Sequence, residues 1–286
     1  MAKKNTYYPC NKHLRVAMQS PVTPNGTVDV PAMLSQQNRR LYRQGRVYQV
    51  KVDLDFAAAP QAGYTVYAIN NTWMLKKAWQ TAFETYREQT LGERNVFNGK
   101  LARWSDFRLD LGSLWTGSVG LDSTRIDESG TEQLLQTGEF YNSQVENDSG
   151  GVRTFGLVES ASRYNILKEF DLTGNMDTEP ETPSTQVAYD DLDSDLTDTE
   201  ISDVTGNGNE PPYAQNDSHW NYPLIKIGEI GSTSEGQKLS TGYFDAPFGF
   251  VIIVGTSPHQ QAGQSELVIT CRAGDYKGVA AHSLME

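Results

Sequence analysis

The stretch Thr72-Trp-Met-Leu-Lys-Lys-Ala-Trp-Gln-Thr-Ala-Phe-Glu-Thr-Tyr-Arg-Glu-Gln-Thr-Leu-Gly92 decides how the rest of the chain is read. Leu75, Ala78, Trp79, Ala82, Phe83 and Tyr86 recur at three- and four-residue steps. Lys76, Lys77, Gln80, Thr81, Glu84, Thr85, Arg87 and Glu88 fill the positions between. That spacing predicts an amphipathic helix about 30 Å long. Thr72 is suited to its N-cap, since its hydroxyl can accept from a first-turn amide, and Gly92 is suited to the left-handed residue that closes it. Such a helix needs a sheet to cover, and its neighbours on both sides read as strands.

Upstream, Tyr48, Val50, Val52, Leu54 and Phe56 alternate with Gln49, Lys51, Asp53 and Asp55, the pattern of a half-buried strand. Tyr64–Ile69 is a second strand leading into the helix. Downstream, Lys100-Leu-Ala-Arg-Trp-Ser-Asp-Phe-Arg-Leu-Asp-Leu111 predicts a third over Arg103–Leu111. Further strands are expected at Thr154–Val158, Arg163–Leu172, Pro223–Ile230, Leu239–Phe244, Phe248–Val254 and Glu266–Cys271. Phe-Gly-Phe-Val-Ile-Ile-Val (248–254) is apolar on both faces and so belongs in the middle of a sheet. With about eight strands, turn-rich connections and no βαβ alternation, the expected fold is all-β: a single jelly-roll β-sandwich with one long inserted amphipathic helix and long surface loops.

Two long stretches supply little core. Residues 112–150 are rich in Gly, Ser, Asp and Glu, with one helical turn expected near Glu132–Gln136. Residues 173–220 are acidic, and Asp171 to Asp203 holds eleven acids and no base. Both are expected to be exposed surface loops or insertions. Within the second, Gly206-Asn-Gly-Asn-Glu-Pro-Pro-Tyr213 is a turn-forming run. The domain organisation follows as a basic, proline-containing N-terminal arm (1–45), with Pro9, Pro21, Pro24 and Pro31, and a sandwich domain (46–286).

Charge is distributed unevenly over the 286 residues, whose formal net charge is −12. Residues 1–51 hold nine bases (Lys3, Lys4, Lys12, Arg15, Arg39, Arg40, Arg43, Arg46 and Lys51) against one acid, Asp29. The remainder holds fifteen bases and thirty-five acids. A basic start on an acidic body implies two surfaces with different neighbours. No apolar run is long enough to span a membrane, and no secretory signal is expected. The two cysteines, Cys10 and Cys271, do not make a disulfide framework.

The residue pattern predicts no enzyme. His13, His219, His259 and His282 stand apart, and neither a Gly-x-Ser-x-Gly elbow nor a phosphate-binding glycine loop occurs. Asp191, Asp193 and Asp195 have the alternate spacing that can present carboxylates to Ca²⁺. Leu196 and Ser202 replace the Gly and Glu of a helix–loop–helix calcium loop, so these three aspartates are the candidate ligands of a looser structural Ca²⁺ site.

The helix with Arg103-Trp-Ser-Asp-Phe-Arg108, Tyr164-Asn-Ile-Leu-Lys-Glu-Phe-Asp-Leu172, Asn209-Glu-Pro-Pro-Tyr213, Ala246-Pro-Phe-Gly-Phe-Val251 and Ala273-Gly-Asp-Tyr-Lys-Gly-Val279 follow one another in an order that carries a resemblance. Together these pieces resemble the capsid proteins of circular Rep-encoding single-stranded DNA viruses of the uncultivated, environmental type. The resemblance implies a virion coat protein that self-assembles into an icosahedral shell around a small circular single-stranded DNA genome. The implied partners are further copies of itself, that genome bound without sequence preference, and a host receptor the sequence does not identify. Lys3, Lys4, Lys12, Arg15, Arg39, Arg40, Arg43 and Arg46 are the candidate nucleic-acid-facing residues. The alternative is a carbohydrate-binding β-sandwich module, calcium-dependent through Asp191, Asp193 and Asp195, that uses exposed Tyr and Trp side chains.

Overall fold

The computed structural model describes residues 9–16, 26–56, 63–90, 106–110, 119–120, 124–126, 128–129, 132–134, 140–146, 150–158, 160–174, 224–233, 236–255 and 265–285. In chain order the elements are β1 (His13–Val16), β2 (Gly26–Asp29), α1 (Val30–Asn38), β3 (Arg46–Phe56), β4 (Gly63–Ile69), α2 (Trp73–Gln89), β5 (Val119–Gly120), β6 (Thr124–Ile126), β7 (Glu132–Leu134), β8 (Gln144–Glu146), β9 (Val152–Gly156) and β10 (Arg163–Asn165). They continue with α3 (Ile166–Gly174), β11 (Leu224–Thr233), β12 (Gly236–Lys238), β13 (Phe244–Pro247), β14 (Phe250–Gly255), β15 (Ser265–Cys271), β16 (Ala273–Gly274), β17 (Gly278–Val279) and β18 (Ala281–Ser283).

The chain is an all-β sandwich. One sheet runs β1-β15-β3-β13, with β18 also paired to β3; the other runs β12-β11-β4-β14-β2-β5. Alternation along β3 sends Tyr48, Val50, Val52 and Leu54 inward, where they meet Leu267 and Ile269 of β15 and Tyr64, Val66, Val251 and Ile253 of the second sheet. The opposite face of the second sheet is covered too. Ile69, Phe250 and Ile252 pack against Leu75, Ala78, Trp79 and Ala82 of α2 and Ile166 and Leu167 of α3. β14 lies between β4 and β2 with both faces buried, which is why its sequence is apolar throughout.

The helix forms where its periodicity predicts. Thr72 caps it, the hydroxyl accepting from Leu75 N at 3.2 Å, and it stops at Gln89 with Thr90 as C-cap. Gly92 lies outside the described residues. Aromatic rings bind it to the segment beyond: Phe107 lies 5.8 Å from Trp79, 5.6 Å from Phe83, 5.3 Å from Tyr86 and 5.3 Å from Phe155, centroid to centroid.

Four expectations are corrected. The strand at Arg163–Leu172 breaks after Asn165 into α3, because the Asn165 side chain accepts from Leu167 N at 3.0 Å and caps the helix. Over the described part of Arg103–Leu111, residues 106–110 make only an isolated bridge, Asp110 to Gly156. Glu132–Leu134 is a strand paired with β6, not a helical turn. Leu239–Phe244 is interrupted: Ser240 bridges Asp53, Gly242 takes a φ of 74°, and regular pairing with β3 begins at Phe244.

Within residues 1–45, read as a proline-containing arm, the described residues contribute β1, β2 and α1 to the body. Pro31 sits in the first turn of α1, where its missing N–H costs nothing, and the Asp29 side chain accepts from Ala32 N at 3.0 Å. No helix among the described residues is long and apolar enough to cross a membrane.

Candidate nucleic-acid interface

Of the eight basic candidates, Arg40, Arg43 and Arg46 gather around one corner of the described structure. Lys3 and Lys4 lie outside the described residues. Arg15 is on β1 between the buried Leu14 and Val16, so it belongs to the solvent face of the first sheet. The Lys12 carbonyl accepts from Cys271 N at 2.9 Å, at the start of that strand. Arg39, Arg40 and Arg43 are exposed in the connection from α1 to β3, and Arg46 opens β3. Arg39 ends α1 in the left-handed conformation, with φ 48°.

Three of these meet a basic residue that sequence reasoning missed. β16 and β17 form a small hairpin whose tip, Asp275-Tyr276-Lys277, closes with Lys277 at φ 52° and Gly278 at φ 97°. The Lys277 ammonium donates to the Leu41 carbonyl, and the Tyr42 hydroxyl donates to the Lys277 carbonyl at 2.9 Å. Arg43 N donates to the Tyr276 hydroxyl at 3.1 Å. The Arg46 guanidinium lies 3.5 Å above the Tyr276 ring centroid and donates to the Ala281 carbonyl at 2.8 Å. Two segments more than 230 residues apart in sequence are thereby clamped together with Arg40, Arg43, Arg46 and Lys277 in one corner.

The electrostatics record the crowding. Burial, reinforced by the charges of Arg40, Arg43 and Arg46, holds the Lys277 ammonium below the usual lysine range. Burial and the hydrogen bond with Cys10, at 3.1 Å, push the Tyr42 phenol up.

Behind the corner lies a buried ionic network. Gln44 N donates to Asp106 Oδ2 at 2.7 Å, and the Gln44 side-chain oxygen accepts from Leu109 N at 2.6 Å. Arg108, only 4% exposed, pairs with Asp29, stands 4.0 Å from Asp106, and has its guanidinium 4.8 Å from the Phe140 ring centroid. Burial pushes the Asp106 carboxyl up to about 6, against the opposing pull of Gln44 N, Arg108 and Arg43.

Elsewhere, a concavity of about 340 Å³ between α2 and α3 is lined by Ala78, Ala82, Val145, Phe155 and Ile166 together with Glu146 and Glu169. Asp191, Asp193 and Asp195 lie outside the described residues, and among the described residues no group of three or more His, Cys, Asp or Glu is placed to hold a metal ion.

The signal for Lys277 was a short Gly-bounded run with one base in it, which periodicity does not flag. Its partners come from the other end of the chain, so only tertiary contact makes it part of a site. No protein-family model, curated protein or solved structure matches this chain.

Proposed function

We propose that the protein is a viral coat-protein subunit: a single jelly-roll sandwich that assembles with copies of itself into an icosahedral shell around a small, circular single-stranded DNA genome. The observation that carries this reading is the nested pairing of the two sheets. Consecutive strands β3 and β4 run antiparallel to β15 and β14 respectively, one pair in each sheet. A two-stranded ribbon folded across a sandwich in this way is how a jelly roll is wound. The clamped basic corner of Arg40, Arg43, Arg46 and Lys277 supports an inward face that meets phosphates without reading sequence.

The test is size-exclusion chromatography with light scattering, followed by electron microscopy of any early-eluting fraction, with and without EDTA. Closed particles of uniform diameter are expected. Their loss in EDTA would assign Asp191, Asp193 and Asp195 to an interfacial Ca²⁺ site. A monomer of 31.8 kDa under every condition would reject the coat-protein reading.

The alternative, a carbohydrate-binding module, draws on Trp73, 69% exposed, and Tyr243, 52% exposed, as ring platforms. Binding of a stable monomer to a glycan array would favour it.

A further inference from the structure

The corner holds like charges together, and the fold places one buried carboxylate directly behind them. Asp106 is tied through Gln44 N to the same α1–β3 connection that carries Arg40 and Arg43. Its charge acts on Arg43 and on Lys277, the two cations that approach from separate segments. Arg108 faces it from its own segment, but Arg108 is also matched by Asp29 at the N-cap of α1. Tyr48, buried on β3, faces it as well and donates its hydroxyl to the Arg43 carbonyl at 2.6 Å. Tyr42, Tyr276 and Cys10 within the corner, Asp275 at the exposed hairpin tip and His282, next to the Ala281 carbonyl that accepts from Arg46, are titratable groups around it as well.

We propose that this corner is a phosphate-binding site whose affinity rises on acidification, with Asp106 as the proton-operated counter-charge. The class of ligand is a phosphate mono- or diester oxyanion, and the coat-protein reading supplies only the expectation that it belongs to a nucleic-acid backbone. Ionised, Asp106 offsets part of the positive field that Arg43 and Lys277 present. Protonated, it keeps an acceptor for Gln44 N but no longer opposes an incoming anion. The two equilibria are linked, so a bound phosphate must in turn favour the protonated carboxyl. Burial raises its titration into the range where this exchange operates.

The experiment is fluorescence anisotropy of an oligothymidylate of about 20 nucleotides at fixed ionic strength, at about pH 7.5 and about pH 5, with a salt titration at each pH. The wild type is expected to bind about three- to tenfold more tightly at the lower pH, the scale for adding one unit charge near a partly solvated anion. Asp106→Asn should bind at both pH values as the wild type does at the lower one. Arg43→Gln combined with Lys277→Gln should weaken binding and lower the salt slope by about 0.7 for each phosphate no longer neutralised, while Lys226→Gln on β11 should change neither. Competition with orthophosphate separates the sources: displacement at low concentration identifies a free-phosphate site, and weak displacement a backbone site.

Absence of oligonucleotide and orthophosphate binding, equal affinity at both pH values, or a pH response lost in His282→Gln and kept in Asp106→Asn would overturn the proposal. Should Asp106→Asn not fold, carboxyl ¹³C NMR of the wild type gives the same answer. The Asp106 titration must move up when oligonucleotide or orthophosphate is bound, and an unmoved titration would sink the idea. Particle formation, read separately by microscopy, decides the coat-protein reading, and either result can fail without the other.

Discussion

Arg108 and Asp106 show how burial changes the value of an ion pair. Arg108, 4% exposed, is compensated only in part: Nη2 pairs with Asp29 and the guanidinium packs on Phe140, while Nε and Nη1 are buried without a hydrogen-bond partner. Arg108→Ala should therefore lose about 1–3 kcal/mol in urea unfolding, less than a fully buried pair would, since Asp29 keeps its capping bond to Ala32 N and is partly exposed. Asp106 runs the other way. Its folded-state value of about 6 lies above the ordinary 3.8, so between these pH values the folded chain holds a proton that the unfolded chain releases. The resulting stabilisation, up to about 3 kcal/mol, is complete below the lower value and is lost as pH rises through the upper one. Asp106→Asn should remove this dependence. The difference between the two proteins' thermal midpoints at about pH 4.5 and about pH 7 isolates it from the other carboxylates, and parallel curves would reject it.

At the scale of elements, α2 does two things that its apolar stripe serves together. Leu75, Ala78 and Ala82 cover the second sheet, and Trp79, Phe83 and Tyr86 receive Phe107. Phe107 is thus the ring through which the helix and β9 are joined. Phe107→Ala should cost about 3–5 kcal/mol, the range for deleting a buried aromatic ring, measured by chemical denaturation. Thr72→Ala removes a single capping bond and should cost only about 1 kcal/mol; a loss as large as that at Phe107 would mean that Thr72 does more than cap. Close approach also fixes one glycine. A Cβ at Gly45 would collide with the Trp79 ring, so the turn into β3 and the helix surface are fitted to each other. The same dependence on neighbours explains α3. Ile166, Leu167 and Phe170 fit a helical stripe, while Tyr164, Ile166, Lys168 and Phe170 alternate as a strand would, and the Asn165 cap decides for the helix.

At the scale of the molecule, three layers stack: first sheet, second sheet, and the helices α2 and α3, while α1 packs into the core between the sheets. Within the second sheet, β4 and β14 are covered from both sides and carry buried apolar residues on both faces. The N-terminal segment belongs to this stack, since Leu14, Val16, Val28 and Val30 are buried in the core between the sheets. Its prolines and short strands hid that role, because a four-residue strand gives too few alternations to stand out.

Strand identity along β3, β4, β14 and β15, the long helix with its Thr72 cap, and the all-β class were set by local sequence, because burial on one face or both is written directly as periodicity. The convergence of Arg40, Arg43, Arg46 and Lys277, and the placing of Asp106 behind them, were decided only by the tertiary structure. A charged residue carries no periodic signature of its partners, and these partners come from stretches that meet only when β18 and the β16–β17 hairpin close against the start of β3.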